Sequence, residues 1–277
     1  MKLLFITLSS DENELDECIE VVSKTIEKYQ YLVHIEHLIF RGLGRHEADT
    51  KVYNTIMENR AEYDYFVKLD ADMKFNDDFI IKLDGYLKKN PDISHLVIPV
   101  FDYLSQHSII GLHIFNNNAH WPSLETKSRI RVDPDPVLLC GRKVIDNVFF
   151  VDDIIHCYNP SETQAMYYGM HRGMKFFGEN RTIRKLSGAY LQFQLAERVR
   201  NNFVRDSNSL RRAFMVGFYQ SSLKSTNDVL DIIGRKKDFN EVRFDEERFL
   251  SFLNDQSFWF REKLIMRVVI FISKVWR

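Results

Sequence analysis

The sequence predicts an α/β fold, with a mostly parallel central sheet flanked by helices and a helical C-terminal extension. Three observations carry that expectation. Short apolar runs alternate with helical periodicity over the first seventy or so residues, the order of strands joined by crossover helices. The first of these runs, residues 3–8, is continuously apolar with β-branched content, as a buried strand should be. From Ser161 onward the periodicity is helical almost throughout. The expected domains are therefore 1–158 and 159–277.

Taken in order, residues 3–8 form the first strand. Asp11 and Glu14 mark a helix start, where a side-chain oxygen would satisfy free backbone N–H groups. Behind them Leu15, Ile19, Val22, Ile26 and Tyr29 recur at helical spacing. Residues 32–40 read as the second strand, followed by the glycine-punctuated segment Arg41-Gly42-Leu43-Gly44-Arg45. Asp49 is expected to cap a helix carrying Val52 and Ile56, and residues 65–69 form the third strand. Beyond it, 78–88 reads as helix, 95–101 and 109–115 as strands, 116–118 as a turn, 121–135 as loop and 149–155 as a further strand. Ser161-Glu162-Thr163-Gln164 is a capping box that opens a helix, and Gly178 is placed to end it.

Composition narrows the function classes. Lys and Arg total 38 against 39 Asp and Glu, a balance that argues against a general nucleic-acid binder. Three cysteines, Cys18, Cys140 and Cys157, without a CxxC pair exclude a disulfide framework and favour a reducing compartment. The apolar start 1–6 is too short for a secretory signal, and no stretch approaches the roughly 18 apolar residues of a spanning helix. The expected location is the cytoplasm, with peripheral attachment to the inner face of the plasma membrane left open.

The most informative segment is Tyr65-Phe66-Val67-Lys68-Leu69-Asp70-Ala71-Asp72-Met73. A buried strand there ends in two carboxylates one residue apart, at the end of a parallel strand where ligands bind. Two acids so placed repel each other unless a cation or hydrogen-bond donors answer them. Oxygen ligands suit Mg²⁺ or Mn²⁺.

With these residues in hand, the first 158 residues resemble the GT-A fold glycosyltransferases, particularly those grouped with the family 2 enzymes. The resemblance rests on the strand at Leu3, on Asn54 in Lys51-Val52-Tyr53-Asn54 and above all on Leu69-Asp70-Ala71-Asp72. It implies a GT-A, Rossmann-like sheet and a divalent cation, Mn²⁺ or Mg²⁺, bridging the diphosphate of a nucleotide sugar. Carried over, Asp70 faces donor and metal, and Asp72 is the firmer metal ligand. Thr7, Lys51 and Asn54 are the accompanying donor-binding candidates. The usual acidic turn after the second strand is replaced by Phe40-Arg41-Gly42-Leu43-Gly44, so base recognition is not read.

His156, in Asp152-Asp153-Ile154-Ile155-His156-Cys157, is the third candidate metal ligand, because imidazole suits Mn²⁺ and the family often places a late histidine near the metal. The alternative is a histidine satisfied by backbone groups at a strand end. On the helix after Ser161, Met166, Met170, Met174 and Phe177 form a core stripe. Arg172 and Lys175, three apart on another side, are candidates for holding a diphosphate, with a solvated basic face as the alternative.

Inversion at the sugar needs a carboxylate to deprotonate the acceptor hydroxyl. The candidates are Asp102, Glu125, Asp133, Asp135, Asp146, Asp152 and Asp153, with Asp133 and Asp153 preferred, and retention stays open. The tail from Phe260 segregates Lys263, Arg267, Lys274 and Arg277 from Phe260, Leu264, Val268, Phe271, Val275 and Trp276. Such a helix lies on an anionic membrane or packs on its own domain.

The expected function is metal-dependent transfer of a sugar from a nucleotide-diphosphate donor to a hydroxyl of a glycan or lipid-linked glycan, in cell-surface polysaccharide assembly. The alternative from another class is a catalytically idle sugar-nucleotide- or membrane-binding scaffold. A haloacid dehalogenase-type phosphatase also places DxD after a strand. Its motif usually lies near the N-terminus, however, with Thr or Val where this chain has Lys74.

Overall fold

A computed structural model describes residues 1–10, 12–43, 45–122, 136–146, 149–150, 153–178, 183–234 and 238–275. The chain divides into two units, Met1–Tyr103 with His107–Asn159, and Leu104–Gln106 with Pro160–Arg277.

The first unit contains β1 (Lys2–Ser9), α1 (Leu15–Tyr29), β2 (His34–Arg41), α2 (Arg45–Glu58), β3 (Tyr65–Asp70), β4 (Met73–Phe75) and α3 (Phe79–Lys89). It continues with β5 (Ile93–Asp102), β6 (His107–Asn116), β7 (Ala119–His120), β8 (Val137–Leu138), β9 (Arg142–Ile145) and β10 (Ile154–His156). The main sheet runs β2-β1-β3-β6-β5-β10-β4, with β9 also on β5, while β7 and β8 pair separately. β1, β2, β3, β5, β9 and β10 point one way; β6 and β4 are the antiparallel members. The mostly parallel α/β sheet expected from the sequence is thus the one observed.

Period-2 alternation divides β1 between two cores. Leu3 and Phe5 join Val67 and Leu69 of β3, Val22 of α1 and Leu83 of α3 on one face. Leu4 and Ile6 join Phe66 with Tyr53 and Ile56 of α2 on the other. Burial on both faces is why these strands read as continuous apolar runs.

Three local expectations are corrected. Asp49 does not cap α2, which begins at Arg45, one turn earlier. Gly42, in the left-handed region at φ +65°, turns the chain immediately after β2. The strand expected over 149–155 is reduced to Ile154–His156. Phe149 and Phe150 lie in a turn, and Phe150 is buried by its packing on Phe79 and Tyr86 rather than by pairing in the sheet. Glu14 precedes α1 but makes no side-chain cap, because its carboxylate accepts the Asn159 N–H at 3.2 Å. Asp11, the other expected cap, lies outside the described residues.

The second unit is helical: α4 (Glu162–Phe177), α5 (Ile183–Asp206), α6 (Ser209–Leu223), α7 (Thr226–Gly234), a short 3-10 turn at Phe239–Glu241, α8 (Glu246–Asn254) and α9 (Gln256–Val275). The capping box forms as expected: Ser161 Oγ accepts the Gln164 N–H at 3.1 Å, and Gln164 Oε1 accepts the Ser161 N–H at 3.0 Å. Gly178 follows the last helical residue. Met166, Met170 and Met174 are buried as expected; beyond them Phe176 rather than Phe177 is the fully buried aromatic. α4 and α6 pack backbone to backbone: Gly169 lies over the Phe214 carbonyl, and Gly217 over that of Met166. Among the described residues no helix is long and apolar enough to cross a membrane.

Candidate functional site

Parallel strands deliver their C-terminal residues to one edge of a sheet. Here that edge collects Asp70 at the end of β3, Asp102 at the end of β5 and His156 at the end of β10. β10 lies between β5 and β4, and its register sets His156 opposite both Asp102 and Met73. Asp72 occupies the tight turn between β3 and β4, which is anchored by the Ala71 N–H donating to the Leu8 carbonyl at 3.0 Å. The Asp72 carbonyl in turn accepts the Cys157 N–H at 2.9 Å.

The side chains converge at the same point. His156 Nδ1 lies 2.9 Å from Oδ1 of the fully buried Asp102. A carboxylate there assigns the ring proton to Nδ1 and leaves the lone pair on Nε2. Nε2 lies 3.3 Å from Asp72 Oδ2. The Cys157 thiol donates to the same oxygen at 3.2 Å and sits 3.7 Å from Nε2. Asp72 Oδ1 is buried and has no hydrogen-bond partner among the described residues. An orphaned buried carboxylate oxygen is costly unless another group answers it.

Electrostatics point the same way. Burial pushes the Asp72 carboxyl up to about 6, His156 opposes the shift, and Asp70 and Glu12 add to it. Burial is also the main cause that lifts the Cys157 thiol well above its ordinary range, followed by the fields of Asp72 and Asp102. Cys18, in the first turns of α1, is raised to about 12 by burial and then by Asp72, while its hydrogen bond with Thr7 works against the rise. Asp70 and Glu12 act on Cys18 as well. Several carboxylates thus bear on one small region, and a bound cation would invert this balance.

One ligand atom from each of Asp72, His156 and Cys157 lies within 4.8 Å of the others. An imidazole oriented by a buried carboxylate, beside a second carboxylate that has one oxygen unanswered among the described residues, fits a divalent cation.

Of the residues singled out in the sequence, the structure brings Asp72 and His156 together and sets Asp70 at the adjacent strand end. Thr7 is fully buried in β1, with its hydroxyl 2.8 Å from His37 Nε2. Lys51 is exposed on α2 with its ammonium over the Phe40 ring, and Asn54 lies one turn further on. Asp153 is buried, accepting from Asn76 Nδ2 at 2.6 Å and Lys82 Nζ at 2.7 Å, so it ties α3 and the preceding turn to the chain before β10. Asp133 lies outside the described residues, as do Glu125, Asp135 and Asp152. Arg172 and Lys175 are on α4 in the second unit. The Arg172 guanidinium donates to Tyr168 Oη at 2.9 Å and to Gln192 Oε1 at 3.0 Å.

Sequence reasoning missed two participants. The sequence offers Asp102 only as a candidate base, yet it ends an apolar strand just as Asp70 does, and that signal is legible. Cys157 carries no signal. Neighbouring residues on a strand face opposite ways, and only its left-handed backbone, φ +52°, turns the thiol toward His156. That conformation costs a non-glycine residue on the order of 1–3 kcal/mol, and such strain clusters at functional sites.

No family model matches the sequence. No curated protein matches it either. Solved structures similar to the chain include a glycosyltransferase involved in glycosylation of the major capsid of PBCV-1, 11% identical with a TM-score of 0.37, covering 58% of this chain and 95% of that one. Residues 1–349 of TarS from S. aureus are 10% identical with a TM-score of 0.36, covering 88% of this chain and 94% of that one. The 4-diphosphocytidyl-2C-methyl-D-erythritol synthase of Anaerococcus prevotii is 9% identical with a TM-score of 0.27, covering 42% of this chain and 71% of that one.

Proposed function

We propose that this protein is a metal-dependent glycosyltransferase, moving a sugar from a nucleotide-diphosphate donor to a hydroxyl of a glycan or lipid-linked glycan. The observation that carries the proposal is the Asp72 carboxylate, its Oδ2 beside an imidazole oriented by Asp102 and its Oδ1 unanswered among the described residues, at the ligand-binding edge of a mostly parallel sheet. Asp72 and His156 would hold the cation, and Asp70 would face both cation and donor. Bound there, a divalent cation supplies charge to offset that developing on the leaving diphosphate. The protein's part is to keep the Nε2 lone pair aimed at the site and to shield it from water. Asp102 does the first through Nδ1, and burial of His156 and Cys157 contributes to the second.

A thermal-shift series of nucleotide sugars with Mn²⁺, with Mg²⁺ and with chelator tests this reading. One donor is expected to stabilise the protein only when metal is present, by about 2.7 kcal/mol at a hundredfold excess over its Kd. If no nucleotide sugar stabilises the protein with Mn²⁺, with Mg²⁺ or, in the same series, with Zn²⁺ or Co²⁺, the transferase reading fails and the scaffold reading takes its place.

The acceptor side of the proposal rests on α9. Phe260, Leu264 and Val268 form an i, i+4, i+8 ridge that is 70%, 53% and 51% exposed, while Trp259 and Glu262 face inward. Arg261 and Arg267 are exposed beside the ridge, but Lys263 is engaged by Glu197 at 2.8 Å. Trp276 and Arg277 lie outside the described residues. An apolar ridge with flanking cations suits the anionic membrane surface at which lipid-linked acceptors reside. The protein should co-sediment with anionic vesicles at low salt and less at high salt, since each basic residue near the surface adds roughly 1 kcal/mol. Leu264→Glu should weaken that binding without lowering the melting temperature. Indifference of the intact protein to anionic vesicles at low salt would remove the membrane from the proposal.

A further inference from the structure

We infer that Cys157 is a third protein ligand to the cation, as a thiolate, and that the site therefore takes a thiophilic divalent ion such as Zn²⁺ or Co²⁺ in preference to Mg²⁺. The inference rests on the reading of Asp72 and His156 as cation ligands and adds the identity of their partner.

The first support is the triangle of ligand atoms. Asp72 Oδ2 to His156 Nε2 is 3.3 Å, Asp72 Oδ2 to Cys157 Sγ is 3.2 Å, and Nε2 to Sγ is 3.7 Å. A tetrahedral ion with bonds of about 2.0 Å to N and O and about 2.3 Å to S holds its ligand atoms roughly 3.3–3.6 Å apart. The three side chains therefore already sit at the corners of one tetrahedral face. Three protein ligands, with the fourth position left to a water or a donor oxygen, would be the coordination of catalytic rather than structural zinc sites.

The second support is the backbone. His156 and Cys157 are consecutive, and on a continuing strand their side chains would diverge to opposite faces. The left-handed conformation of Cys157 removes that divergence. It is held from both sides: the Cys157 N–H donates to the Asp72 carbonyl at 2.9 Å, and the His156 carbonyl accepts the Tyr103 N–H at 3.0 Å. A thiol needed only to donate a hydrogen bond could be replaced by a serine hydroxyl; a soft ligand could not.

The third support is the donor set. One carboxylate oxygen, one imidazole nitrogen and one sulfur match Zn²⁺ and Co²⁺, whereas Mg²⁺ demands six hard oxygens in near-octahedral array. On binding, the thiol proton passes to solvent, one per ion, with no change of oxidation state.

The test is a Co²⁺ titration of the intact, chelator-stripped protein under reducing conditions, read by absorption. The expected result is one ion per chain, with a thiolate-to-cobalt charge-transfer band in the near ultraviolet. The band should persist in a Cys18→Ala, Cys140→Ser double variant, which leaves Cys157 as the last of the three thiols. Cys157→Ser should lose the band and bind Co²⁺ at least about tenfold more weakly, while Asp72→Asn should lose stoichiometric binding. Stoichiometric binding that lacks the band in the double variant overturns the thiolate ligand but leaves the Asp72–His156 site standing. Absence of stoichiometric binding in wild type overturns both. Because the double variant keeps Cys157 in place, the outcome does not depend on whether Cys157→Ser folds.

Discussion

Asp72→Asn should reduce sugar transfer by at least about a hundredfold while the protein stays folded. The cation's charge stabilisation of a transition state is worth several kcal/mol, and each 1.36 kcal/mol is a factor of about ten in rate. Asn keeps the shape and one acceptor oxygen but removes the charge that the ion needs. The same substitution should raise the melting temperature of the metal-free protein above pH 6, for a reason that can be signed. The Asp72 carboxyl is held at about 6 in the folded chain, mainly by burial, against an ordinary value of 3.8. A carboxyl raised on folding favours the folded state below pH 3.8, and that contribution is lost as pH rises through 6. At neutral pH the metal-free protein bears the cost of an ionised, largely buried carboxylate, and Asn does not. Melting curves of both proteins in chelator from pH 4 to 8 should therefore diverge as pH rises. Transfer by Asp72→Asn close to wild type would sink the proposed site, and parallel melting curves would sink the burial argument.

Gly217→Ala should destabilise the helical unit by more than about 3 kcal/mol. Helix propensity alone predicts the opposite sign, since Ala in a helix interior is better than Gly by about 1 kcal/mol. Close approach outweighs it. A Cβ on Gly217 would lie 2.0 Å from the Met166 carbonyl oxygen and 2.9 Å from the Met170 amide nitrogen. Neither neighbour is a side chain that can rotate away, so α4 and α6 must separate along a seam that buries Met166, Met170 and Phe214. Overpacking typically costs about 1–3 kcal/mol where side chains can adjust, and here backbone has to move. Gly169→Ala, whose Cβ would meet the Phe214 carbonyl oxygen at 1.9 Å, should behave alike. Gly188 on α5 is the control. A Cβ there would meet nothing within 4 Å among the described residues, so Gly188→Ala should be neutral or slightly stabilising. Urea unfolding of the variants measures the difference. A Gly217→Ala midpoint matching that of Gly188→Ala would refute the packing account.

The sequence by itself determined the longer strands β1, β2, β3, β5 and β6, the helices α1 to α4 and the placement of Asp70 and Asp72 at a strand end. Continuous apolar runs, helical periodicity and the Ser161 capping box are local signals, set by burial of one segment's own side chains. His156 is legible for a related reason: an apolar segment ends in a residue type that binds metal. The start of α1 at Leu15 has no side-chain cap at Glu14, and α2 begins at Arg45 rather than after Asp49, so helix starts are less legible than helix bodies.

Only the tertiary structure decided which residues meet. Asp72, Asp102 and His156 are separated by 30 and 54 positions in the chain, and parallel pairing of β5 with β10 brings the last two into register. Asp102 becomes the orienting partner of His156 through that register, and Asp153 becomes an anchor for Lys82 and Asn76. Cys157 joins the cluster because its backbone adopts a conformation that costs energy locally and is offset by contacts made far along the chain. Sequence periodicity reports which face a residue buries. It carries no record of which distant segment lies across from that face, and the chemistry of this site depends on that pairing.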